Sequence, residues 1–279
     1  VKMGSTPYDV EAGALLEQAK RLRDVKLYYD KAQEQIAEEK WAEAAEQMQA
    51  FDKVCQRLGN IPDTDLRRAC QEAVDEIPIL LGKAQRAEWY QKGKTAYIQQ
   101  DWGAAAEAFQ QLQTLDAAYK REEVRNYLFA SYLNYGAYLL EASGHVPDQV
   151  KLAIDLFDRA AELRPNDSSA KESGASARAY LAALQAFGEK DWDTAQRHLN
   201  ELVQKDPGYA GGRAVELLCR ARVGLGDRAY EAGLLETALV HYRQIIETEG
   251  CDHAEAEIKM QRAISTLYPP TATPTATST

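Results

Sequence analysis

The sequence YIQQDWGAAAEAF at residues 97–109 carries a spacing from which the architecture of this chain follows. Trp102 is followed three residues later by Ala105, and Phe109 comes four residues after that. Steps of three and four residues stay on one face of an α-helix. A small residue on that face lets a neighbouring helix approach closely, and the large residue one turn later fills the space beside it. The spacing predicts a turn followed by an amphipathic helix that begins at Trp102.

The same spacing recurs along the chain. Each copy has a large residue, a turn, a Trp or Leu, an Ala three positions later and a second large residue four positions after that. The further copies are IAEEKWAEAAEQM (36–48), FGEKDWDTAQRHL (187–199) and YEAGLLETALVHY (230–242). They predict helices that begin at Trp41, Trp192 and Leu235. A fifth copy, AIDLFDRAAELRPND (153–167), keeps the second half of the pattern after an expanded turn at 143–149.

The fifth copy contains Ala153, Phe157, Ala160 and Pro165, which match the A-x3-F-x2-A-x4-P signature of the tetratricopeptide repeat. Residues 25–268 resemble that family. The resemblance implies an all-α, right-handed helical-repeat solenoid of antiparallel helix pairs. It implies about five repeat units and a C-terminal capping helix at 254–268.

Two spacings depart from the family repeat of 34 residues. Trp41 and Trp102 are 61 residues apart, and Trp192 and Leu235 are 43 apart. Either the helices are longer than the family norm or an extra helix intervenes. The additional residues fall in 63–100, where Pro78 is expected at a helix start or break.

The chain divides into three segments by composition. Residues 1–10 are expected to form a flexible N-terminal segment, and residues 11–268 the helical-repeat domain. The tail PPTATPTATST (269–279) contains only Pro, Thr, Ala and Ser, so it has nothing to bury and is expected to be disordered. Such a tail is typical of an O-glycosylated stalk or of an ordinary disordered terminus.

Net charge and hydropathy exclude two classes of partner. The chain carries 43 acidic and 33 basic residues, for a net charge of −10. It therefore lacks the dense basic surface with which proteins neutralise phosphates, and we expect no nucleic-acid partner. No stretch approaches the roughly 20 apolar residues of a membrane-spanning helix, so we expect no direct membrane insertion of these residues.

The resemblance also implies where a partner binds. In tetratricopeptide proteins ligands lie on the concave side, which the first helix of each pair forms. Carried over by position, that groove consists of Tyr29, Tyr90, Lys94, Tyr97, Tyr180, Phe187 and Tyr230. Tyrosine offers contact area and a hydroxyl at low entropic cost. The alternative for each ring is packing between repeats. The same choice, between core and ligand pocket, applies to Tyr127, Tyr132, Tyr135 and Tyr138.

The four cysteines fall symmetrically about two predicted turns. Cys55 and Cys70 flank the turn at 59–63, and Cys219 and Cys251 flank the turn at Gly233. Residues equally distant from a turn lie side by side in an antiparallel helix pair, so each pair is placed to form a disulfide. The alternative is four free thiols that act as small apolar residues. Disulfides indicate an extracytoplasmic or cell-envelope location, and free thiols a cytoplasmic one.

No sequence motif for catalysis or metal binding occurs. The chain has no C-x2-C pair and no nucleophile-elbow, zinc-protease or P-loop motif, so we expect no enzyme activity, no cofactor and no metal. Helical repeats before a Pro/Thr tail also look like bacterial envelope proteins. The leading hypothesis is a non-catalytic scaffold that binds a peptide or protein segment. The alternative is a structural component that self-assembles in a surface layer or filament.

Overall fold

The computed structural model describes residues 7–58, 61, 63–143 and 145–269. These residues contain eleven α-helices and no β-strand. The helices are α1 (Pro7–Ala37), α2 (Trp41–Leu58), α3 (Thr64–Ile98), α4 (Trp102–Leu115), α5 (Arg121–Ser143), α6 (Pro147–Leu163), α7 (Ser168–Gly188), α8 (Trp192–Lys205), α9 (Arg213–Glu231), α10 (Leu235–Ile246) and α11 (Ala254–Leu267). The all-α prediction is confirmed, and so are the four predicted helix starts at Trp41, Trp102, Trp192 and Leu235.

The chain forms two compact units, residues 1–124 and 125–279. In the first, α1 packs on α2, α2 on α3 and α3 on α4. In the second, each helix from α6 to α10 packs on the helix that follows it. Phe157 of α6 lies against the backbone of α5 at Gly136. Consecutive helices thus pack against each other, as in a helical repeat.

Four turns repeat one backbone geometry. Glu39, Gln100, Lys190 and Gly233 each lie two residues before a helix start and have φ values of 57°, 60°, 61° and 75°. The residue after each donates its backbone N–H to a carbonyl five residues earlier, as Asp101 does to Ala96 at 2.9 Å. A left-handed residue with this hydrogen bond is a common way to end a helix. The repeat is therefore present in the backbone as well as in the sequence.

α3 explains the long spacing between Trp41 and Trp102. It is one helix of 35 residues, so no extra helix intervenes. The expectation that Pro78 starts or breaks a helix is wrong, because Pro78 lies inside α3. Its ring is on the exposed side of the helix, where water solvates the carbonyl groups left without a donor.

Each half of α3 packs on a different helix. Cys70, Ala73 and Leu80 belong to the buried cluster that contains Phe51 of α2. Gly93, farther along α3, faces Phe109 of α4. One long helix thus completes the packing of α2 and begins the next pair.

The ends of the chain fall partly outside the described residues. α1 begins at Pro7, so residues 7–10 of the segment predicted to be flexible are helical. Residues 1–6 lie outside the described part. The predicted disordered tail at 269–279 also lies outside it, apart from Pro269.

Two disulfides connect neighbouring elements. One joins Cys55 of α2 to Cys70 of α3, and the other joins Cys219 of α9 to Cys251, which precedes α11. The Cα atoms are 5.8 Å apart in both. These are the two cysteine pairs that the sequence predicts from their positions on either side of the turns.

Candidate functional site

The structure places the seven predicted groove residues in three kinds of surroundings. Tyr29 and Phe187 line open clefts and have half-buried rings. Tyr90 and Tyr180 lie in the core, where 3% and 0% of their surface is exposed. The remaining three, Lys94, Tyr97 and Tyr230, are half-buried against neighbours within their own units.

The two core tyrosines are held by other rings. Tyr90 packs edge-on against Phe109 and Tyr119, with ring centroids 6.2 Å and 6.1 Å apart, and its hydroxyl donates to Glu123. Tyr180 packs edge-on against Tyr209 at 5.5 Å, and burial raises the pKa of Tyr180 to about 12. Because neither ring presents surface to a ligand, we leave both out of the groove proposed below.

Lys94, Tyr97 and Tyr230 pack on their neighbours. The Lys94 ammonium lies 5.3 Å from the centre of the Tyr90 ring. Tyr97 packs edge-on against Trp102 at 5.2 Å. The hydroxyl groups of Tyr230 and Thr266 are 3.1 Å apart, and the Arg262 guanidinium lies 5.4 Å from the Tyr230 ring. These contacts fit the packing interpretation of the three residues.

The four tyrosines of α5 are divided in the same way. Tyr132 is buried, whereas Tyr138 is 56% exposed. Tyr127 and Tyr135 are half-buried. Burial raises the pKa of Tyr132, and the nearby Arg159 opposes that rise. None of the four lines a cleft described below.

The first cleft, the α1–α3 cleft, has a volume of about 700 Å³. Its α1 wall includes Leu22, Lys26 and Tyr29, and its α3 wall includes Leu66 and Ala69. Charged side chains of both signs rim it: Arg23, Asp30, Asp63, Asp65, Arg68 and Glu72. An apolar floor with a charged rim is the usual construction of a protein-binding surface.

The second cleft, the α7–α9 cleft, consists of two adjoining cavities of about 430 and 320 Å³. Both cavities are lined by Arg220 and Val223 of α9 and by Glu255 of α11. Phe187 and Trp192 line one end. The other end is lined by Glu216, Cys219, Ile245, Gly250 and Asp252.

Packing of Trp192 on α9 shapes the aromatic end of this cleft. The indole lies so close to Gly224 that a Cβ there would be 2.5 Å from it, so only glycine fits. Phe187 packs edge-on against Trp192, with centroids 5.1 Å apart. The Arg220 guanidinium lies 4.8 Å from the centre of the Phe187 ring, a cation–π contact. This end therefore offers flat apolar surface bordered by Arg220, Lys190 and Glu255.

The other end of the α7–α9 cleft is predominantly acidic. Glu216, Asp252 and Glu255 face it, and Arg220 is its cation. Glu216 and Arg220 are 3.9 Å apart, and Glu255 is 3.3 Å from Lys259. Carboxylates in such loose pairs keep unused acceptor positions for a positively charged ligand group.

Sequence reasoning did not identify Arg220, Val223 or Glu255. Glu216, Arg220 and Val223 occur at steps of four and three residues, which place them on one face of α9. That signal is present in the sequence, but the resemblance to tetratricopeptide proteins points to aromatic residues and one lysine instead. Glu255 lies on another helix, and its proximity to Arg220 is set by packing.

A third cleft, of about 360 Å³, lies between α5 and α7 and is rich in hydroxyl groups. Ser169, Ser173 and Ser176 of α7 line it, together with Lys205 and Tyr209. The Tyr209 hydroxyl is buried without a hydrogen-bond partner among the described residues, and burial raises its pKa. The Ser169 hydroxyl donates to the Asp167 carboxylate at 2.5 Å, and the same oxygen accepts the Ser169 backbone N–H, so this contact caps the start of α7.

The described residues contain no group of three or more His, Cys, Asp or Glu side chains arranged to hold a metal ion. Within the same part of the chain, no helix has both the length and the apolar composition needed to cross a bilayer. Comparison with known proteins gives no assignment, since neither a family model nor a curated protein matches this sequence.

Proposed function

We propose that this chain is a tetratricopeptide-like, right-handed helical-repeat solenoid that acts as a non-catalytic scaffold and binds a peptide or protein segment. The recurrent turn geometry and the packing of consecutive helices support the architecture. The α1–α3 cleft and the α7–α9 cleft both involve alternate helices, which is where such arrays bind their ligands. The α7–α9 cleft is the principal site of the proposal.

The observation that carries the proposal is the combination of surfaces in the α7–α9 cleft. Phe187, Trp192 and Val223 provide half-buried apolar surface, and Arg220 and Glu255 line both this end and the acidic end. Glu216 and Asp252 add further carboxylates at the acidic end. A peptide with an apolar side chain next to a basic one matches this order. Apolar contacts would supply most of the affinity, and the charges would fix the register.

The two disulfides support an extracytoplasmic or cell-envelope location for this scaffold. All four cysteines are paired, and disulfides persist in oxidising compartments and are rare in the cytosol. Cys219 lines the α7–α9 cleft, so its bond to Cys251 also connects α9 to the segment that carries Asp252. Reduction is therefore expected to weaken peptide binding at this cleft.

Selection from a random-peptide library tests the proposal. We expect enriched peptides to contain an aromatic or aliphatic residue close to Lys or Arg. Val223→Glu places a charge on the apolar floor and should weaken their binding about 10-fold or more. Val240→Glu is the matched control, since Val240 is an exposed valine on α10 outside the cleft.

The decisive comparison is between these two variants. Loss of peptide binding in Val223→Glu with retention in Val240→Glu supports the cleft as the site. Equal binding by both variants would overturn the assignment of the cleft. Failure to enrich any peptide over an unrelated folded control protein would overturn the proposed function.

A further inference from the structure

The first half of α1 carries an apolar stripe that faces solvent. Every residue from 10 to 21 is exposed. Tyr8 is 82% exposed and Leu15 60%. Together with Ala12, Ala19 and Leu22 they recur at steps of three and four residues, so they lie on one face of the helix. A helical segment of this length is marginal in water without a packing partner.

The stripe leads directly into the α1–α3 cleft. Leu22, at the end of the stripe, and Tyr29, two turns later, are both cleft residues. Leu66 and Ala69 form the opposite wall. A second helix that packs on the stripe would therefore continue into the cleft between α1 and α3, and its side chains would fill that space.

The charges of α1 select the direction of such a helix. Residues 10–19 carry two carboxylates, Glu11 and Glu17, and no basic group. Residues 20–26, KRLRDVK, carry four basic groups and one carboxylate. Two copies of α1 in parallel would place like charges opposite each other, whereas antiparallel copies place the acidic part of each beside the basic part of the other.

We propose that the occupant of this surface is α1 of a second copy of the chain, in an antiparallel homodimer. With a two-fold axis between Gln18 and Ala19, Leu15 lies opposite Leu22 of the other copy. Tyr8 lies opposite Tyr29 and enters the α1–α3 cleft. Such a contact is isologous, since the same surface is used on both chains, and it closes as a dimer.

The same register supplies a charge pair across the interface. Glu11 of one copy lies opposite Lys26 of the other, and the pair occurs twice by symmetry. Lys26 is exposed on the wall of the cleft. Glu17 is already paired with Lys20 within the helix, at 2.9 Å, and these two lie away from the stripe. The Glu11–Lys26 contact therefore fixes the antiparallel register.

Sedimentation of the full chain over a range of concentrations tests the proposal. We expect a species of twice the 31.1 kDa mass of one chain. Leu15→Glu should raise the dimer dissociation constant about 10-fold or more. Leu27→Glu is the control, because Leu27 is a similarly exposed leucine on the same helix, about 120° around its axis from Leu15.

Charge reversal separates this dimer from other modes of association. Glu11→Lys and Lys26→Glu should each weaken dimerisation severalfold, and the double variant should restore it because the pairs are re-formed with opposite sign. Circular dichroism verifies that each variant keeps its helices. A monomer at every concentration, or a dimer unaffected by Leu15→Glu, would overturn the proposal. A dimer that the double variant fails to restore would overturn the antiparallel register.

Discussion

Gly93 of α3 lies against the ring of Phe109 of α4 so closely that a Cβ at position 93 would be 2.8 Å from two ring atoms and 2.9 Å from a third. The two residues are 16 positions apart. Gly226 and Tyr242 have the same separation, and a Cβ at 226 would be 2.4 Å from the tyrosine ring. The absence of a side chain at the glycine is what admits the ring between the two helices.

Gly93→Ala should destabilise the protein by about 1–3 kcal/mol, the usual cost of overpacking a well-packed contact. The Phe109 ring is fully buried, so it has no space into which to move. The free energy of urea-induced unfolding, measured on the folded and oxidised chain, checks the prediction. Gly13→Ala is the control because nothing lies within 4 Å of its Cβ position.

A second substitution distinguishes overpacking from a general effect of altering α3. Ala183 and Leu199 occupy the corresponding positions of α7 and α8, and both are fully buried. Where alanine replaces glycine on the first helix, the residue that faces it on the second helix is a leucine and not an aromatic residue. Phe109→Leu should recover part of the stability lost in Gly93→Ala. If the two changes are simply additive, the ring is not the cause of the loss.

The starts of the helices were well predicted from the sequence because local chemistry determines them. In the turn before Trp102, the Asp101 side chain accepts a hydrogen bond from the Ala104 backbone N–H at 3.0 Å. In the turn before Trp192, Asp191 accepts one from the Thr194 backbone N–H at 3.2 Å. Such contacts need only residues three positions apart. The continuity of α3 through Pro78 was not predicted, since packing on α2 and α4 outweighs the local preference for a break.

The lining of a groove is harder to predict than a helix start, because burial is a property of the whole unit. Tyr180 and Phe187 both lie on α7 and were assigned to the same surface. Tyr180 is buried against Tyr209, and Phe187 lines a cleft. Burial of a ring depends on residues distant in sequence, as burial of Tyr180 depends on Tyr209, and a single sequence without structure does not specify such contacts.

Removal of either disulfide should lower stability. The bonded cysteines are 15 and 32 residues apart. Loop-closure entropy gives about 3–4 kcal/mol for bridges of these lengths. Thermal unfolding of Cys55→Ala/Cys70→Ala and of Cys219→Ala/Cys251→Ala, beside the parent chain with and without reductant, measures the two contributions.

A thiol count on the denatured, unreduced protein is the companion measurement. We expect no free thiol in protein from an oxidising compartment. Four free thiols would contradict both disulfides and would remove the support that they give to an extracytoplasmic location. In that case reductant would leave the unfolding temperature unchanged.

His241 should make stability depend on pH above the range in which most carboxylates titrate. Burial lowers the pKa of His241 below its ordinary value near 6.5, and Arg228 and Arg222 act in the same direction while Asp193 opposes them. Between that ordinary value and the lower folded one, the unfolded chain binds a proton that the folded chain does not. The part of the unfolding free energy that depends on His241 is therefore fully present above about pH 6.5. It decreases as the pH falls from there through the lower pKa of the folded chain.

The urea midpoint measured between about pH 7.5 and 5.5 checks this sign. His241→Gln should reduce the fall in midpoint across that window, and His145→Gln, at an exposed position, should leave it unchanged. Asp167 and Asp191 do not obscure the result, because hydrogen bonds lower the pKa of each and they titrate at more acidic pH. Equal slopes in the parent chain and in His241→Gln would contradict the role of this imidazole.

α10 lacks the helix cap that α4 and α8 have, and adding one should stabilise the chain. Leu234 occupies the position of Asp101 and Asp191, is 57% exposed and makes no side-chain cap hydrogen bond. Leu234→Asp provides an acceptor for the backbone N–H three residues later, and the backbone of this turn already matches the other two. We expect a gain of about 0.5–1 kcal/mol, measured as a higher urea midpoint. Leu234→Asn separates the hydrogen bond from the favourable interaction of a negative charge with the helix dipole. Leu234→Ala removes the exposed leucine without adding an acceptor, so an equal gain from alanine would show that capping is not the cause.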